Sequence, residues 1–387
     1  MVQTPESVSL PPDRRSSLRE LAAYFLRLGA IGFGGPAALV GYMRKDLVEE
    51  RKVVTEQTYN LALALAQIMP GPLAAQTAIA IGYFEHGVAG ATLVGLAFIL
   101  PSFAMVIAIS WLYVAYGGLP AMQALFYGIG AVVISIIAIA AYRLARGTNK
   151  RDPLLWGIFV ALFVATIWAQ AELAELFIAA GALVIIVRAR PRFGRRAAVA
   201  GLVPFVLTPA AAWTGNILLD LLAFFIKAGA FVFGSGLAIV PFLHEGVVKE
   251  FGWLTERQFV DAVAVALITP GPVVITVAFI GYLVAGFAGA TVASIGIFLP
   301  VYFFTIVPAP WFRRHRDNAQ LRAFVSGATA AASGAIAGAV VVLAQRAIVD
   351  VPTAAIALTG LVLLARFRLP EPLLVTAAGV VGLLLTR

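Results

Sequence analysis

Long apolar runs separated by short polar segments dominate this chain. The runs recur from Leu21 to the C-terminus, and charged residues are concentrated between them. The pattern predicts an all-α polytopic membrane protein with roughly ten to twelve membrane segments, because a helix needs about 20 apolar residues to cross the hydrocarbon core.

The same pattern occurs twice along the chain. A shift of 200 residues aligns FLRLGAIGFGG at Phe25 with FIKAGAFVFGS at Phe225, and MPGP at Met69 with TPGP at Thr269. Self-similarity at a fixed offset indicates a duplicated structural unit. We therefore divide the chain into a tail (1–20), a first membrane repeat (21–196) and a second membrane repeat (197–387).

Loop charges orient the two repeats. The tail is basic and contains no short apolar core before a cleavage site, so we expect a cytoplasmic tail and not a signal peptide. The positive-inside rule then places the basic loops 143–151 and 188–196 inside and the uncharged loop 116–123 outside. Its counterpart in the second repeat, 313–322, is strongly basic and must be cytoplasmic. Equivalent loops on opposite sides predict inverted-topology repeats, as in many secondary transporters.

Composition narrows the functional class. The chain is 61% hydrophobic and 12% charged, so lipid must cover it, and we expect a multi-pass protein of the bacterial inner membrane. Its net charge of +9 lies in short loops and not along one face, which argues against nucleic acid. The absence of cysteine excludes thiolate metal sites, and we expect neither a metal nor another cofactor. A membrane enzyme acting on a lipid-linked substrate is disfavoured by three scattered histidines and no paired acidic motif. The sequence leaves open whether two copies of the chain form a homodimer.

Each repeat contains a Pro-Gly-Pro triplet inside an apolar stretch. Neither proline donates a backbone hydrogen bond, so the helix must stop and restart, as a re-entrant hairpin or a broken helix. Freed backbone groups within a membrane must be buried in protein or line a cavity. A plain proline kink is the simpler alternative, but matching breaks in two halves indicate a binding site. The triplets are Pro70, Gly71 and Pro72 in the first repeat and Pro270, Gly271 and Pro272 in the second.

A glycine-containing break precedes each triplet. A helix N-terminus presents unpaired N–H groups and about half a positive charge, so four such ends turned toward one centre would supply about +2 and balance a divalent oxyanion. C-terminal ends would instead favour a cation, and the sequence leaves this choice open. With Met69 and Thr269, the substrate-binding candidates here are Phe33, Gly34, Gly35 and Pro36 in the first repeat and Gly234, Ser235 and Gly236 in the second.

Three charged residues stand out inside apolar stretches. Arg27 and Lys227 occupy the same repeat position, about two turns before the glycine break, and are candidates for the anion path. The alternative is that both snorkel to the membrane surface. Asp261 precedes the second triplet where the first repeat has Leu61, which makes it the candidate for proton coupling.

Two threonines, Thr55 and Thr255, precede the stretches that contain the triplets. Thr255 and Gln258 have the spacing of a capping box, so we expect both threonines to cap helices.

The FGGP and MPGP motifs, with FG and PGP recurring in the second half, resemble the chromate ion transporter family in its two-domain form. The resemblance extends from about Leu21 to the end of the chain. It implies export of chromate from the cytoplasm, chromate resistance and proton exchange. The motif residues carried over are Phe33 to Pro36 and Met69 to Pro72. In the second half Ser235-Gly236 replaces Gly-Pro and Thr269 replaces Met, so the two halves need not share the substrate equally. Sulfate or another tetrahedral oxyanion is the alternative substrate.

Overall fold

The computed structural model describes residues 17–33, 35–116, 120–169, 174–189, 215–232, 236–315, 319–367 and 369–385. All regular structure within these ranges is helical, which confirms the all-α class.

The first repeat contains the helices up to residue 189, which include two π-helical segments. In chain order they are α1 (Leu18–Ile31), α2 (Gly35–Met43), a π-helix (Arg44–Glu50), α3 (Glu56–Ile68), α4 (Leu73–Tyr116), α5 (Pro120–Asn149), α6 (Pro153–Ala169), α7 (Ala174–Val184) and a second π-helix (Ile185–Ala189).

The second repeat begins with the same series, with short 3-10 turns at its breaks. The elements are α8 (Ile217–Ala230), a 3-10 turn (Gly236–Ile239), α9 (Val240–His244), a π-helix (Glu245–Glu250), α10 (Glu256–Ile268), a 3-10 turn (Val273–Ile275), α11 (Thr276–Ile306), α12 (Ala309–His315), α13 (Ala319–Ala347), α14 (Val351–Arg366) and α15 (Glu371–Leu385).

The first apolar stretch folds back on itself as a hairpin. The guanidinium carbon of Arg51, which follows the π-helix, lies 5.3 Å from the centre of the ring of Tyr24 in the middle of α1. The 14 residues of α1 extend only about 21 Å, too little to cross a bilayer. In the second repeat the rings at the equivalent positions, Phe224 and Phe251, are 5.6 Å apart. Both glycine-break stretches therefore have the geometry of hairpins.

Helix α4 is two antiparallel arms joined at His86 and Gly87. Gly87 has a φ of 63°, which interrupts the helix. A Cβ atom built on Gly82 would lie 2.5 Å from the carbonyl oxygen of Gly90, although residues eight apart in a straight helix are separated by about 12 Å. Helix α11 turns in the same way at Gly286, where φ is 60°. Each long helix thus pairs a short inner arm with a long outer arm.

The outer arms of α4 and α11 run antiparallel. The hydroxyl of Thr92, near the start of the first arm, lies 2.6 Å from that of Tyr302, late in the second. At the other end of the pair, the rings of Phe103 and Phe287 are 6.3 Å apart. Corresponding segments of the repeats therefore point in opposite directions. Their sidedness in a bilayer stays a prediction.

Four helices in the described ranges are long and apolar enough to cross a membrane. They are Leu73–Tyr116, Pro120–Asn149, Val273–Arg313 and Arg322–Gln345, and four shorter apolar helices accompany them. Several other apolar runs in the sequence form shorter helices, because glycine and proline divide them. The expected total of ten to twelve segments stays a prediction.

Helix starts follow the predicted capping chemistry. The Thr55 hydroxyl accepts the Thr58 N–H at 3.0 Å at the start of α3. At the start of α10, Thr255 and Gln258 form a reciprocal capping box. Both predicted caps are confirmed, and they fix where the half-helices leading to the triplets begin.

Candidate functional site: the crossed helix breaks

The breaks of the two repeats are joined by reciprocal hydrogen bonds. The N–H of Gly71, in the first triplet, donates to the carbonyl of Val232 at 2.5 Å. The N–H of Gly271, in the second triplet, donates to the carbonyl of Gly32 at 3.0 Å. Val232 and Gly32 occupy equivalent positions, just after α8 and α1. Each Pro-Gly-Pro triplet is thus bonded to the glycine break of the opposite repeat.

The proline carbonyls that end the incoming half-helices also have protein donors. The side-chain Nε2 of Gln76 donates to the carbonyl of Pro70 at 2.7 Å. The hydroxyl of Ser102, on the outer arm of α4, donates to the carbonyl of Pro270 at 2.7 Å. Both Gln76 and Ser102 are fully buried. The acceptors at this crossing are therefore largely occupied by the protein.

The outgoing half-helices leave N–H donors at the same crossing. Helix α4 starts at Leu73, and within the described part of the chain no acceptor contacts the N–H groups of Leu73, Ala74 or Ala75. Among the described residues, no acceptor contacts the N–H groups of Val273 or Val274, which open the equivalent turn. Such ends present about half a positive charge each.

The start of the turn after the second glycine break also lies at this crossing. A Cβ atom on Gly236 would lie 3.6 Å from the Val274 nitrogen. With carbonyls capped and N–H groups open, the crossing favours an anion over a cation.

The structure brings most of the predicted break residues to this crossing. Gly71, Pro72, Thr269, Pro270, Gly271 and Pro272 are buried, whereas Pro36, Met69 and Pro70 are half-buried. Phe33 is exposed. Gly35 is the first residue of α2. The predicted positions Gly34, Gly234 and Ser235 lie outside the described residues.

Arg27 lies in an open cleft next to the first glycine break. The cleft has a volume of about 380 Å³. Gly32 and Phe33 line the cleft beside the break, and Arg51 is a second basic group in its wall. Two carboxylates, Asp46 and Glu50, line it as well, so the cleft is polar and contains charges of both signs. Arg27 itself is exposed.

The corresponding region of the second repeat is filled by aromatic rings. The Phe224 ring stacks on Phe242 with centres 5.4 Å apart, and Phe251 stacks on Trp253 at 4.1 Å. The ammonium of Lys227 lies 5.9 Å from the centre of the Phe242 ring. The equivalent basic residues therefore face different surroundings, polar in the first repeat and aromatic in the second.

Asp261 is buried and joins the two repeats through one hydrogen bond. The Tyr113 hydroxyl, near the end of α4, donates to its Oδ2 at 2.7 Å, and Asp261 is 3% exposed. In the other half, Leu61 stands at the position of Asp261 and Phe312 at that of Tyr113. The helices that contain them, α3 and α12, pack against each other. A carboxyl and a phenol in one half thus correspond to two apolar side chains in the other.

Sequence reasoning missed four residues of this region: Gln76, Ser102, Tyr113 and Arg51. Gln76 and Ser102 do carry a signal, because each is a polar side chain within an apolar run. Tyr113 and Arg51 have none, since a tyrosine near a helix end and an arginine in a charged connector are ordinary. Their roles depend on contacts between segments far apart in sequence.

Comparison with known proteins assigns the chain to a family. The family model described as chromate transporter matches residues 19–187 and again residues 219–383. The chain belongs to the chromate transporter family. This membership confirms the resemblance drawn from the repeated FG and PGP motifs.

Curated relatives within the family match over nearly the full length. A chromate transport protein of Cupriavidus metallidurans is 55% identical over 375 residues, which cover 95% of this chain and 93% of the relative. A probable chromate transport protein of Synechococcus elongatus is 53% identical, covering 95% of each chain. A chromate transport protein of Pseudomonas aeruginosa is 31% identical, covering 97% of this chain and 93% of the relative. No solved structure matches this member of the chromate transporter family.

Proposed function

We propose that the chain is a secondary transporter that exports chromate across the bacterial inner membrane and thereby confers chromate resistance. The observation that carries the proposal is the crossing of the two triplets, where N–H groups of the outgoing half-helices stay open while the neighbouring carbonyls are capped. The names of these relatives, which describe chromate transport, support the choice of anion.

The membrane potential favours export over import. A potential that is negative inside contributes about 2.3 kcal/mol per charge per 100 mV, hence about 2.3 kcal/mol for a departing monoanion and about 4.6 kcal/mol for a departing dianion. At about 1.4 kcal/mol per decade, these correspond to concentration ratios of roughly fortyfold and more than a thousandfold. Import of either anion would require coupled cations or protons.

The cleft of Arg27 and Arg51 is the approach to the break in the first repeat. Two guanidinium groups beside the glycine break attract an oxyanion and match its geometry. In the second repeat, aromatic rings occupy the equivalent region. The first repeat therefore contributes more to anion capture than the second.

Asp261 is the proton carrier of the proposed exchange. Its carboxyl is buried, lies one half-helix away from Pro270 and is hydrogen-bonded to the opposite repeat through Tyr113. Protonation of Asp261 would remove its charge and change this inter-repeat contact. No residue is assigned a catalytic role.

Competition uptake in inside-out membrane vesicles tests the substrate. Unlabelled chromate should suppress uptake of radiolabelled chromate far more effectively than sulfate does. Equal suppression by both anions would show that the substrate is any tetrahedral oxyanion and not chromate in particular. Backbone N–H donors alone recognise only charge and shape. Vesicles without the protein give the background.

A further inference from the structure

The side chain of Gln76 presents a buried hydrogen-bond acceptor that no residue in the described ranges satisfies. Gln76 is 0% exposed, and its Nε2 donates to the Pro70 carbonyl at 2.7 Å. Its Oε1 has no hydrogen-bond partner in the part of the chain that the structure describes. The opposite amide orientation would place two oxygens 2.7 Å apart, so the nitrogen must face Pro70. A buried polar atom without a partner is destabilising, which marks this acceptor as a place for a ligand donor.

This acceptor lies at the start of the outgoing half-helix of the first repeat. Helical side chains lean toward the N-terminus of their helix, and Gln76 reaches back over the first turn of α4 to Pro70. The same turn leaves the N–H groups of Leu73, Ala74 and Ala75 open. Pro70 and Leu73 beside them are only half-buried, so the turn borders accessible space.

The position equivalent to Gln76 in the second repeat carries a hydroxyl that is already hydrogen-bonded. Threonine stands at the equivalent position, and the Thr276 hydroxyl donates to the Val273 carbonyl of its own turn at 2.8 Å. The carbonyl of Pro270 is instead capped from the opposite repeat by Ser102. The unpaired acceptor is therefore a property of the first break within this pair.

We propose that the first break binds its oxyanion in the singly protonated form, with the anion's hydroxyl donating to Gln76 Oε1 and its other three oxygens accepting the N–H groups of Leu73, Ala74 and Ala75. The site offers one acceptor and three donors, and hydrogen chromate offers one hydroxyl and three acceptor oxygens. The inference rests on the proposed function and names the form of the substrate that this site selects.

Protonation distinguishes chromate from sulfate. Hydrogen chromate is a weak acid that loses its proton near neutral pH, whereas hydrogen sulfate is fully ionised there. Sulfate cannot donate to Gln76, so its oxygen would face an acceptor and repel it. A site of this kind rejects an analogue that lacks the hydrogen-bonding group because its own buried polar atom stays unpaired. Gln76 is thus a specificity-determining residue.

Titratable and charged side chains also lie on α4 and on the elements packed against it. Within the described ranges they are Arg19, Glu20, Tyr24, Arg27, Tyr42, Glu56, Tyr59, Tyr83, Glu85, His86, Tyr113, Tyr116, Glu256, Arg257, Asp261, Tyr282 and Tyr302. These groups are the same whichever anion binds, whereas protonation of the ligand concerns chromate alone. A comparison of the two anions in the same protein therefore isolates the ligand proton.

Equilibrium binding of radiolabelled chromate and radiolabelled sulfate to the purified full chain, from mildly acidic to mildly alkaline pH, tests the proposal. Uptake of one proton with each chromate predicts that its dissociation constant rises about tenfold per pH unit on the alkaline side, while that of sulfate changes much less. Gln76→Met, which has nearly the same shape, should remove this difference. Gln67→Met on the exposed face of α3 is the matched control and should keep it.

Parallel pH profiles for chromate and sulfate in the wild type would overturn the proposal while leaving chromate transport intact. So would a steep chromate profile that persists in Gln76→Met. The wild-type comparison alone decides the matter if that variant does not fold. Absence of saturable chromate binding at every pH would instead remove the proposed function together with this inference.

Discussion

Arg27 and Lys227 show how one repeat position acquires two environments. Both are exposed cations about two turns before a glycine break, as the sequence pattern indicates. Arg27 faces a polar cleft, whereas Lys227 lies over the ring of Phe242. The difference depends on the neighbours, which are Tyr24 and Arg51 in one repeat and phenylalanines in the other.

Replacing Arg27 with glutamine should weaken chromate capture. Loss of one charge-assisted hydrogen bond, worth about 1.5 kcal/mol, predicts a roughly tenfold higher KM for chromate efflux with little change in kcat. Lys227→Gln is the matched variant and should change KM much less, because its ammonium lies over a ring. Transport kinetics in cells at limiting chromate measure the KM of each variant. An unchanged KM for Arg27→Gln would indicate that Arg27 only snorkels to the membrane surface.

Replacing Asp261 with asparagine should uncouple proton movement from chromate movement. Asparagine keeps the size and can still accept from Tyr113, so folding and chromate binding should persist. Proteoliposomes containing a pH-sensitive dye report proton flux when chromate is added. Flux that persists in Asp261→Asn at the wild-type ratio to chromate would show that this carboxyl does not carry the proton.

At the scale of helices, prolines and threonines made the breaks and caps predictable. Pro70 and Pro72 cannot continue a helix, and Thr55 precedes a helical pattern, so both features follow from local chemistry. The turn inside α4 was not predictable in this way. His86-Gly87 contains no proline, and the turn depends on Gly82 and Gly90 packing against each other.

Ser102 should stabilise the crossing of the repeats. Ser102→Ala removes the donor to the buried Pro270 carbonyl and should destabilise the protein by about 1–3 kcal/mol. Ser110→Ala, on the same arm, is the control, since that buried hydroxyl donates only to Val106 of its own helix. Thermal unfolding in detergent measures both. Equal melting temperatures for the two variants would contradict a stabilising role for the inter-repeat bond.

At the scale of the whole molecule, the duplication and its likeness to a known family were visible in sequence, but the crossing was not. An offset of 200 residues identifies equivalent positions without showing that Gly71 bonds to Val232 or Gly271 to Gly32. Those contacts follow from the antiparallel packing of α4 and α11. The loop charges predicted that the two repeats run in opposite directions. Their sidedness in the membrane is measured by cysteine labelling.

Single cysteines at Pro120 and Ala319 test the sidedness. Both positions are exposed helix starts at equivalent places in the repeats, and the chain has no native cysteine. Inverted topology predicts that a membrane-impermeant thiol reagent labels Pro120→Cys in intact cells and Ala319→Cys only after permeabilisation. Labelling of both from the same side would exclude inversion.

The most direct test of the crossed breaks as the oxyanion site is chromate uptake into inside-out vesicles with a potential positive in the lumen. Wild type is compared with Pro70→Ala/Pro72→Ala and with Pro270→Ala/Pro272→Ala, and melting temperatures are recorded in parallel. Alanine permits a continuous helix, which withdraws the open N–H groups without a loss of helix stability. We predict that uptake falls about tenfold or more in the first variant, the effect of about 1.4 kcal/mol or more, and less in the second. Full uptake with a normal melting temperature in the first variant would contradict the account.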